Sequence, residues 1–277
     1  MNAAGARELS DLLLPVIDIA RQAGRAILEV YGSSQFGTVA KADDSPLTQA
    51  DLRAHALIVA ALRALTPDIP VLSEESAAIP FAQRSGWLRH WLVDPLDGTK
   101  EFVARNGEFT VNIALIQAHA PVLGVVGVPV RDTVYFAARE HGAFRTIGNA
   151  AAAPIHVCKS APVPFRVVAS RSHRGDSLDA YLRALGTCEV VSVGSALKLC
   201  LVAEGTADIY PRLGPTSEWD TAAAHAVVAA AGGRVITRGG TELAYNTKTD
   251  LLNPDFFAFG DQSRDWLEPL RVVRSNT

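Results

Sequence analysis

Cysteine is scarce: 277 residues contain only Cys158, Cys188 and Cys200. They form no Cys-x-x-Cys pair and no closely spaced set with histidine. This argues against a structural zinc site or a disulfide framework and favours a reducing compartment. Charge of one sign is not in excess either. With 26 basic against 29 acidic residues, a formal charge of −3 offers polyanions no general attraction. Nucleic acid polymers are therefore not expected as partners, and any phosphate chemistry needs a local site. No window reaches the ~18 uninterrupted apolar residues of a membrane span, and the start lacks the basic flank and long apolar run of a secretory signal. The expectation is a cytoplasmic protein with no integral membrane segment. Internal repeats are missing, as are low-complexity tracts beyond alanine-rich helices.

What is present suffices for a folded protein. A hydrophobic fraction of 48% with 20% charged residues excludes a disordered chain, which lacks the apolar content to offset ordering entropy. The length suits one large or two small domains. Leu13, Ile17, Ala20, Ala23, Ile27 and Val30 recur at three- and four-residue steps, predicting an amphipathic helix over 9–31 that closes near Gly32. Thr48-Gln49-Ala50-Asp51 resembles a capping box opening a second helix to about Leu65, stopped at Thr66-Pro67. Short runs rich in Val, Ile and Phe at 71–73, 91–93, 110–117, 122–129 and 133–138 predict strands, several antiparallel. Proline and alanine cluster over 150–164, the best candidate domain boundary. Beyond it, strands at 165–169, 189–193, 207–210 and 234–236 alternate with helices at 175–185, 195–204 and 220–231, the rhythm of a second α/β layer.

The chemistry concentrates where carboxylates follow apolar strands. Glu74 and Glu75 end one; Asp94-Pro95-Leu96-Asp97-Gly98-Thr99 ends another. Pro95 fixes φ and is expected to force a turn, so that both aspartates and the Leu96 carbonyl can converge on a hard cation such as Mg²⁺. An Asp-Pro turn with a second Asp capping the next helix is the plainer alternative. The following Gly98-Thr99-Lys100-Glu101-Phe102 predicts a tight turn and a short helix whose free N–H groups suit a phosphate. Asp220 opens an alanine-rich helix and reads equally as a cap or as a ligand. Asp51 has the same double reading, with capping favoured.

Glu74-Glu75, the run from Asp94 to Thr99, and Trp219-Asp220-x-x-Ala223 followed by Ala231-Gly232-Gly233 resemble the signatures of the inositol monophosphatase superfamily of Mg²⁺-dependent, lithium-sensitive phosphatases. Within it, segments 43–51, 91–102, 106–114 and 199–205 are similar to the bacterial 3'(2'),5'-bisphosphate nucleotidases of the CysQ type. The resemblance covers nearly the whole chain. Departures from the nucleotidase pattern fall at Ser76 and Glu218.

The resemblance implies a mixed α/β fold, an αβαβα layered sandwich of two subdomains. Residues 1–160 would form the helix-and-sheet half with most ligands, and 161–277 the α/β half with Asp220 and the substrate contacts. It implies two or three Mg²⁺ ions held by Glu74, Asp94, the Leu96 carbonyl, Asp97 and Asp220, with Asp94 bridging. Thr99, held by Asp51, would orient an attacking water together with Glu74. Gly98, Thr99, His173, Ser195, Lys198, Arg212 and Asp220 would contact a small bisphosphate nucleotide, with the whole run from Ser170 to His173 near it. The implied reaction is hydrolysis of 3'-phosphoadenosine 5'-phosphate to AMP and phosphate, and of its phosphosulfate analogue, without a covalent intermediate. Competing readings are an inositol monophosphatase or sugar phosphatase, sharing every metal ligand, and a non-catalytic metal-dependent phosphate binder. Some bacterial relatives attach peripherally to the inner membrane, but no anchor is visible here, and oligomeric state is not legible.

Overall fold

The computed structural model describes residues 3–33, 39–40, 46–171 and 175–275. Asp43, Asp44 and His173 lie outside the described residues. Helix α1 (Ala3–Tyr31) starts earlier than the apolar spacing implied and runs through Pro15. One lost backbone bond is outweighed by the buried stripe of Leu9, Leu13, Val16, Ile17, Ala20, Ala23 and Ile27. A minimal antiparallel ladder follows, β1 (Val39–Ala40) with β2 (Pro46–Leu47). Helix α2 (Gln49–Leu65) opens at Thr48, whose side chain accepts from the Ala50 N–H and closes a capping box with Asp51.

The chain then builds a 7-stranded sheet laid down in sequence order. Strand β3 (Val71–Ser73) precedes a short helix α3 (Phe81–Arg84), and β4 (Arg89–Asp97) precedes α4 (Thr99–Val103). The sheet continues through β5 (Thr110–Gln117), β6 (Ala120–Val128), β7 (Thr133–Ala138), β8 (Gly142–Ile147) and β9 (Ala153–Pro154). Only β3 and β4 pair in parallel, because a helical connection separates them; the later strands are antiparallel neighbours joined by short turns.

The 5-stranded sheet is mixed. Its elements are β10 (Phe165–Ser170), α5 (Asp176–Leu185), β11 (Cys188–Val193), α6 (Leu197–Ala203), β12 (Ile209–Arg212), α7 (Glu218–Ala230), β13 (Arg234–Thr237), β14 (Phe256–Phe259) and α8 (Glu268–Ser275). The βαβ rhythm holds for β10, β11 and β12, which are parallel. It fails afterwards: β14 inserts antiparallel between β12 and β13. No helix connects β13 to β14, and a parallel return needs such a crossover.

Alternation along the strands sorts side chains into layers. On β4, Trp91 and Val93 face the core shared with α1 and α2, whereas Leu92 faces the core filled by α6 and α7. Phe257 and Trp266 lie in a third core, with Tyr181 and Leu182 of α5 and Leu270 of α8. The layers therefore run helix, sheet, helix, sheet, helix. Helix α7 lies unusually close to β6, since a Cβ added at Gly124 would fall 2.1 Å from the Ala223 carbonyl oxygen. Small residues on both elements permit this approach.

Candidate active site

Pro95 does not turn the chain away. Asp94, Leu96 and Asp97 remain in β4, and the ladder to β5 shifts register between Asp94 and Asp97. This bulge gives the convergence that a turn was expected to supply, because one inserted residue re-aims the side chains after it. The Leu96 N–H donates to Asp94 Oδ1 at 3.0 Å. Gly98 then takes φ +93°, a conformation few other residues accept, and the chain enters α4.

Asp94, Asp97 and Asp220 each offer an oxygen within 4.8 Å of the others. Asp220 arrives from the other sheet's side, at the start of α7. There its Oδ2 also accepts from the Ser217 N–H at 2.9 Å, so the cap reading and the cluster reading are both realised. Glu74 is not in the three-way set, but it lines the same cavity and its charge acts on Asp94. Burial, then the charges of Glu74, Asp97 and Asp220, hold the Asp94 carboxyl well above the usual carboxylate range. Asp97 and Asp220 are raised too, each first by burial. Thr110 Oγ1, Asn112 Nδ2 and the Ala196 N–H all donate to Asp97 Oδ2, at 3.3, 3.2 and 2.6 Å.

Asp51 is likewise both cap and site residue. Its Oδ2 accepts from the Thr48 N–H and hydroxyl, while Oδ1 accepts from the Thr99 hydroxyl at 3.2 Å. Thr99 Oγ1 also lies 3.3 Å from the Leu96 carbonyl.

Glu74, Asp94, Leu96, Asp97, Thr99 and Asp220 line a cavity of about 540 Å³ that also reaches Ser170, Ser195, Lys198, Tyr210, Arg212 and Trp219. Lys198 is buried rather than solvated on a helix face, with Nζ 2.5 Å from the Ser195 carbonyl and 5.5 Å from the Tyr210 ring centroid. Burial lowers its ammonium to about 8, against the opposing pull of Asp97. Arg212 does not pair with Glu218; it donates to the Gly214 and Pro215 carbonyls. Glu218 instead accepts from the buried Asn246 N–H at 2.8 Å, on the far side of the α7 start. Ser195 does not begin a helix. It sits at φ +44° in the turn before α6, and its hydroxyl donates to the Glu108 carbonyl.

The donor set fits a hard divalent cation. It consists of oxygens alone, and the crowded carboxylates are balanced locally by Lys198 and, for Asp220, by Arg212. Thr110, Asn112 and the Ala196 amide went unnoticed as site groups in the sequence. Thr110 and Asn112 did carry a signal: two polar residues one strand period apart in an otherwise apolar run, opposite Asp97 and Asp94 in register. Nothing in the local sequence announces the Ala196 amide.

Residues 8–260 match the inositol monophosphatase family. The chain belongs to that family. Among curated relatives, the 3'(2'),5'-bisphosphate nucleotidase CysQ of Salmonella typhimurium is 51% identical over 250 residues, covering 88% of this chain and 98% of the relative. Among solved structures of the inositol monophosphatase family, CysQ from Bacteroides thetaiotaomicron superposes with a TM-score of 0.79 at 44% identity, covering 90% of this chain and 97% of the other. The inositol monophosphatase from Anabaena gives a TM-score of 0.76 at 25% identity, covering 96% and 97%. The fold is thus shared across the family, while the high identity lies with the CysQ branch. Among the described residues, no helix is long and apolar enough to cross a membrane.

Proposed function

We propose that the chain is a Mg²⁺-dependent 3'(2'),5'-bisphosphate nucleotidase that hydrolyses 3'-phosphoadenosine 5'-phosphate to AMP and phosphate, and also accepts the phosphosulfate analogue. The observation that carries this reading is the meeting of Asp94, Asp97 and Asp220 at one cavity with Lys198 and Arg212. Acids for a cation and cations for a second phosphate stand side by side. Near full-length identity to CysQ nucleotidases supports the substrate class.

Asp94, Asp97, Asp220, Glu74 and the Leu96 carbonyl would hold two or three Mg²⁺ ions. Residues 1–160 would supply most of these ligands, and 161–277 would supply Asp220 and the remaining substrate contacts. Bound there, Mg²⁺ neutralises phosphate oxygens, makes water a better nucleophile and stabilises the leaving 3'-oxygen. The Thr99 hydroxyl spends its proton on Asp51 Oδ1 and so turns a lone pair toward a water. Glu74, beside Asp94, accepts a proton from that water as its oxygen attacks phosphorus in line. The P–O3' bond breaks and the 3'-oxygen takes up a proton from solvent, giving the nucleoside hydroxyl and inorganic phosphate.

Gly98 and Thr99 would bind the scissile phosphate through their backbone. Lys198, Arg212, Ser195 and His173 would receive the nucleotide and its 5'-phosphate, with Asp220 at the sugar. The hydroxyl of Ser195 already donates to Glu108, so it would act on a ligand as an acceptor.

The test is phosphate release with Mg²⁺ from 3'-phosphoadenosine 5'-phosphate, inositol 1-phosphate and fructose 1,6-bisphosphate. The expected result is a kcat/KM at least tenfold higher for the nucleotide. Preference for a sugar phosphate would overturn the substrate class, and failure on every phosphomonoester would favour a phosphate binder.

A further inference from the structure

Asp97 is held from a distance. The Ala196 N–H that donates to its Oδ2 at 2.6 Å comes from a residue 99 positions further along the chain. It belongs to the turn 194–196, in which Ser195 adopts φ +44°. A non-glycine residue persists in that left-handed region only when its surroundings hold it there. The turn is also tightly fitted: a Cβ at Gly194 would lie 2.8 Å from Glu101 Cγ and 2.9 Å from the Glu108 carbonyl oxygen.

What holds the turn is Glu108, in the loop that leads into β5. Glu108 Oε2 accepts from the Gly194 N–H at 2.8 Å, and the Glu108 carbonyl accepts from the Ser195 hydroxyl at 2.9 Å. The same carboxylate receives a two-point grip from Arg171, whose Nε and NH2 lie 2.9 and 2.8 Å from its oxygens. Arg171 NH2 also donates to the Ser192 carbonyl at 2.9 Å, the strand end from which the turn departs. Glu108 lies just before β5 of the first sheet, while Arg171 follows β10 and the turn follows β11 of the second. The loop is braced in turn by the Asn106 side-chain oxygen, which accepts from the Glu108 N–H at 2.9 Å.

We infer that Glu108 is a positioning residue for Asp97: it clasps the 194–196 turn so that the Ala196 amide stays aimed at Asp97 Oδ2. The inference rests on the reading of Asp97 as a metal ligand. Glu108 touches neither substrate nor metal in this role. Its side chain acts through the hydrogen bond from the Gly194 N–H, while its carbonyl's bond from the Ser195 hydroxyl survives any substitution at 108, and the turn reaches the ligand through the Ala196 N–H. A carboxylate fixed by an amide N–H on one oxygen presents the other in a constant direction, which is what a multi-carboxylate cation site requires.

The test compares Glu108→Ala with Glu108→Gln in the full-length protein. Both remove the charge, but the glutamine can still accept from the Gly194 N–H. Mn²⁺ binding, followed by equilibrium dialysis with no substrate present, is expected to weaken at least tenfold in Glu108→Ala and by no more than about threefold in Glu108→Gln. The kcat for the nucleotide should fall with the metal affinity while KM changes less than threefold. Backbone exchange at Ala196 should accelerate in the alanine variant only. If Glu108→Ala does not fold, Glu108→Ser repeats the comparison with a polar side chain too short to reach the turn.

Wild-type Mn²⁺ affinity in the short-side-chain variants would overturn the inference. Equal losses in Glu108→Ala and Glu108→Gln would overturn it as well, since they would point to charge rather than to the clasp. The binding arm needs no nucleotide, so it decides on Glu108 even if the substrate assignment fails.

Discussion

The Thr99 hydroxyl donates to Asp51 Oδ1 at 3.2 Å across 48 residues of sequence, while Oδ2 of the same carboxylate closes the capping box of α2. One side chain thus ties the start of a helix to the residue that would orient the nucleophile. The rigidity of the cap is transmitted to Thr99.

Replacing Asp51 by Asn should impair both duties. The amide oxygen can serve the cap or Thr99, but its NH₂ group cannot accept from either. Steady-state phosphate release is expected to show a kcat lower by roughly 10²-fold or more, in the range of a lost acid–base arrangement, with KM little changed. Thermal melts should show a loss of about 1 kcal/mol, the usual worth of a cap. An unaltered kcat would remove Asp51 from the catalytic group.

Asp94→Asn is expected to abolish turnover without unfolding the protein. Loss of several kcal/mol of charge stabilisation corresponds to roughly 10³-fold in rate. Without metal, the variant should melt at or above the wild-type temperature, because it relieves a buried carboxyl facing Glu74, Asp97 and Asp220. Near-normal rates would count against the ligand assignment.

Mg²⁺ should stabilise the fold and its removal should be reversible. At a concentration about 100 times the dissociation constant, binding adds about 2.7 kcal/mol, or roughly 5 °C in melting temperature for a chain of this size. Scanning calorimetry with Mg²⁺ and with a chelator measures this, and the Asp94→Asn variant should lose the difference. As the family resemblance implies, millimolar Li⁺ should inhibit. Full activity in Li⁺ would weaken that implication.

His90 should make the protein sensitive to acid. It is buried, both ring nitrogens lack a partner, and its ring lies 5.7 Å from that of Trp87. Burial, with His119 and Arg84 nearby, lowers its imidazolium to about 4. Because the folded value lies below the unfolded one, the unfolded chain binds the proton first. Stability is complete above pH ~6.5 and is lost as pH falls toward 4, by about 2 kcal/mol at pH 5. In denaturant titrations, His90→Leu should gain on the wild type by about that amount between pH 7 and pH 5. A constant difference across this range would show that His90 does not titrate as its burial demands.

Much of the fold was legible because its signals are local. The α2 cap at Thr48 and Asp51, the helix stop at Thr66-Pro67 and strands β3, β5 and β7 follow from side-chain patterns over a few residues. The bulge at Pro95 and the antiparallel insertion of β14 were not legible, since pairing partners, not propensities, decide whether a segment bends, leaves a sheet or enters one.

The same division runs through the site. Sequence alone determined that Glu74 and Asp97 stand at strand ends and that Asp220 and Asp51 open helices, because residue type, spacing and capping chemistry act over one or two turns of chain. Tertiary structure alone decided which of these acids meet, and that Lys198 is buried beside them. It also decided that the Ala196 amide, with no side-chain signature, would aim at Asp97. Those outcomes depend on how closely α7 packs on β6 and how the two sheets are joined, and close packing is a property of surfaces that come together only when the whole chain has folded.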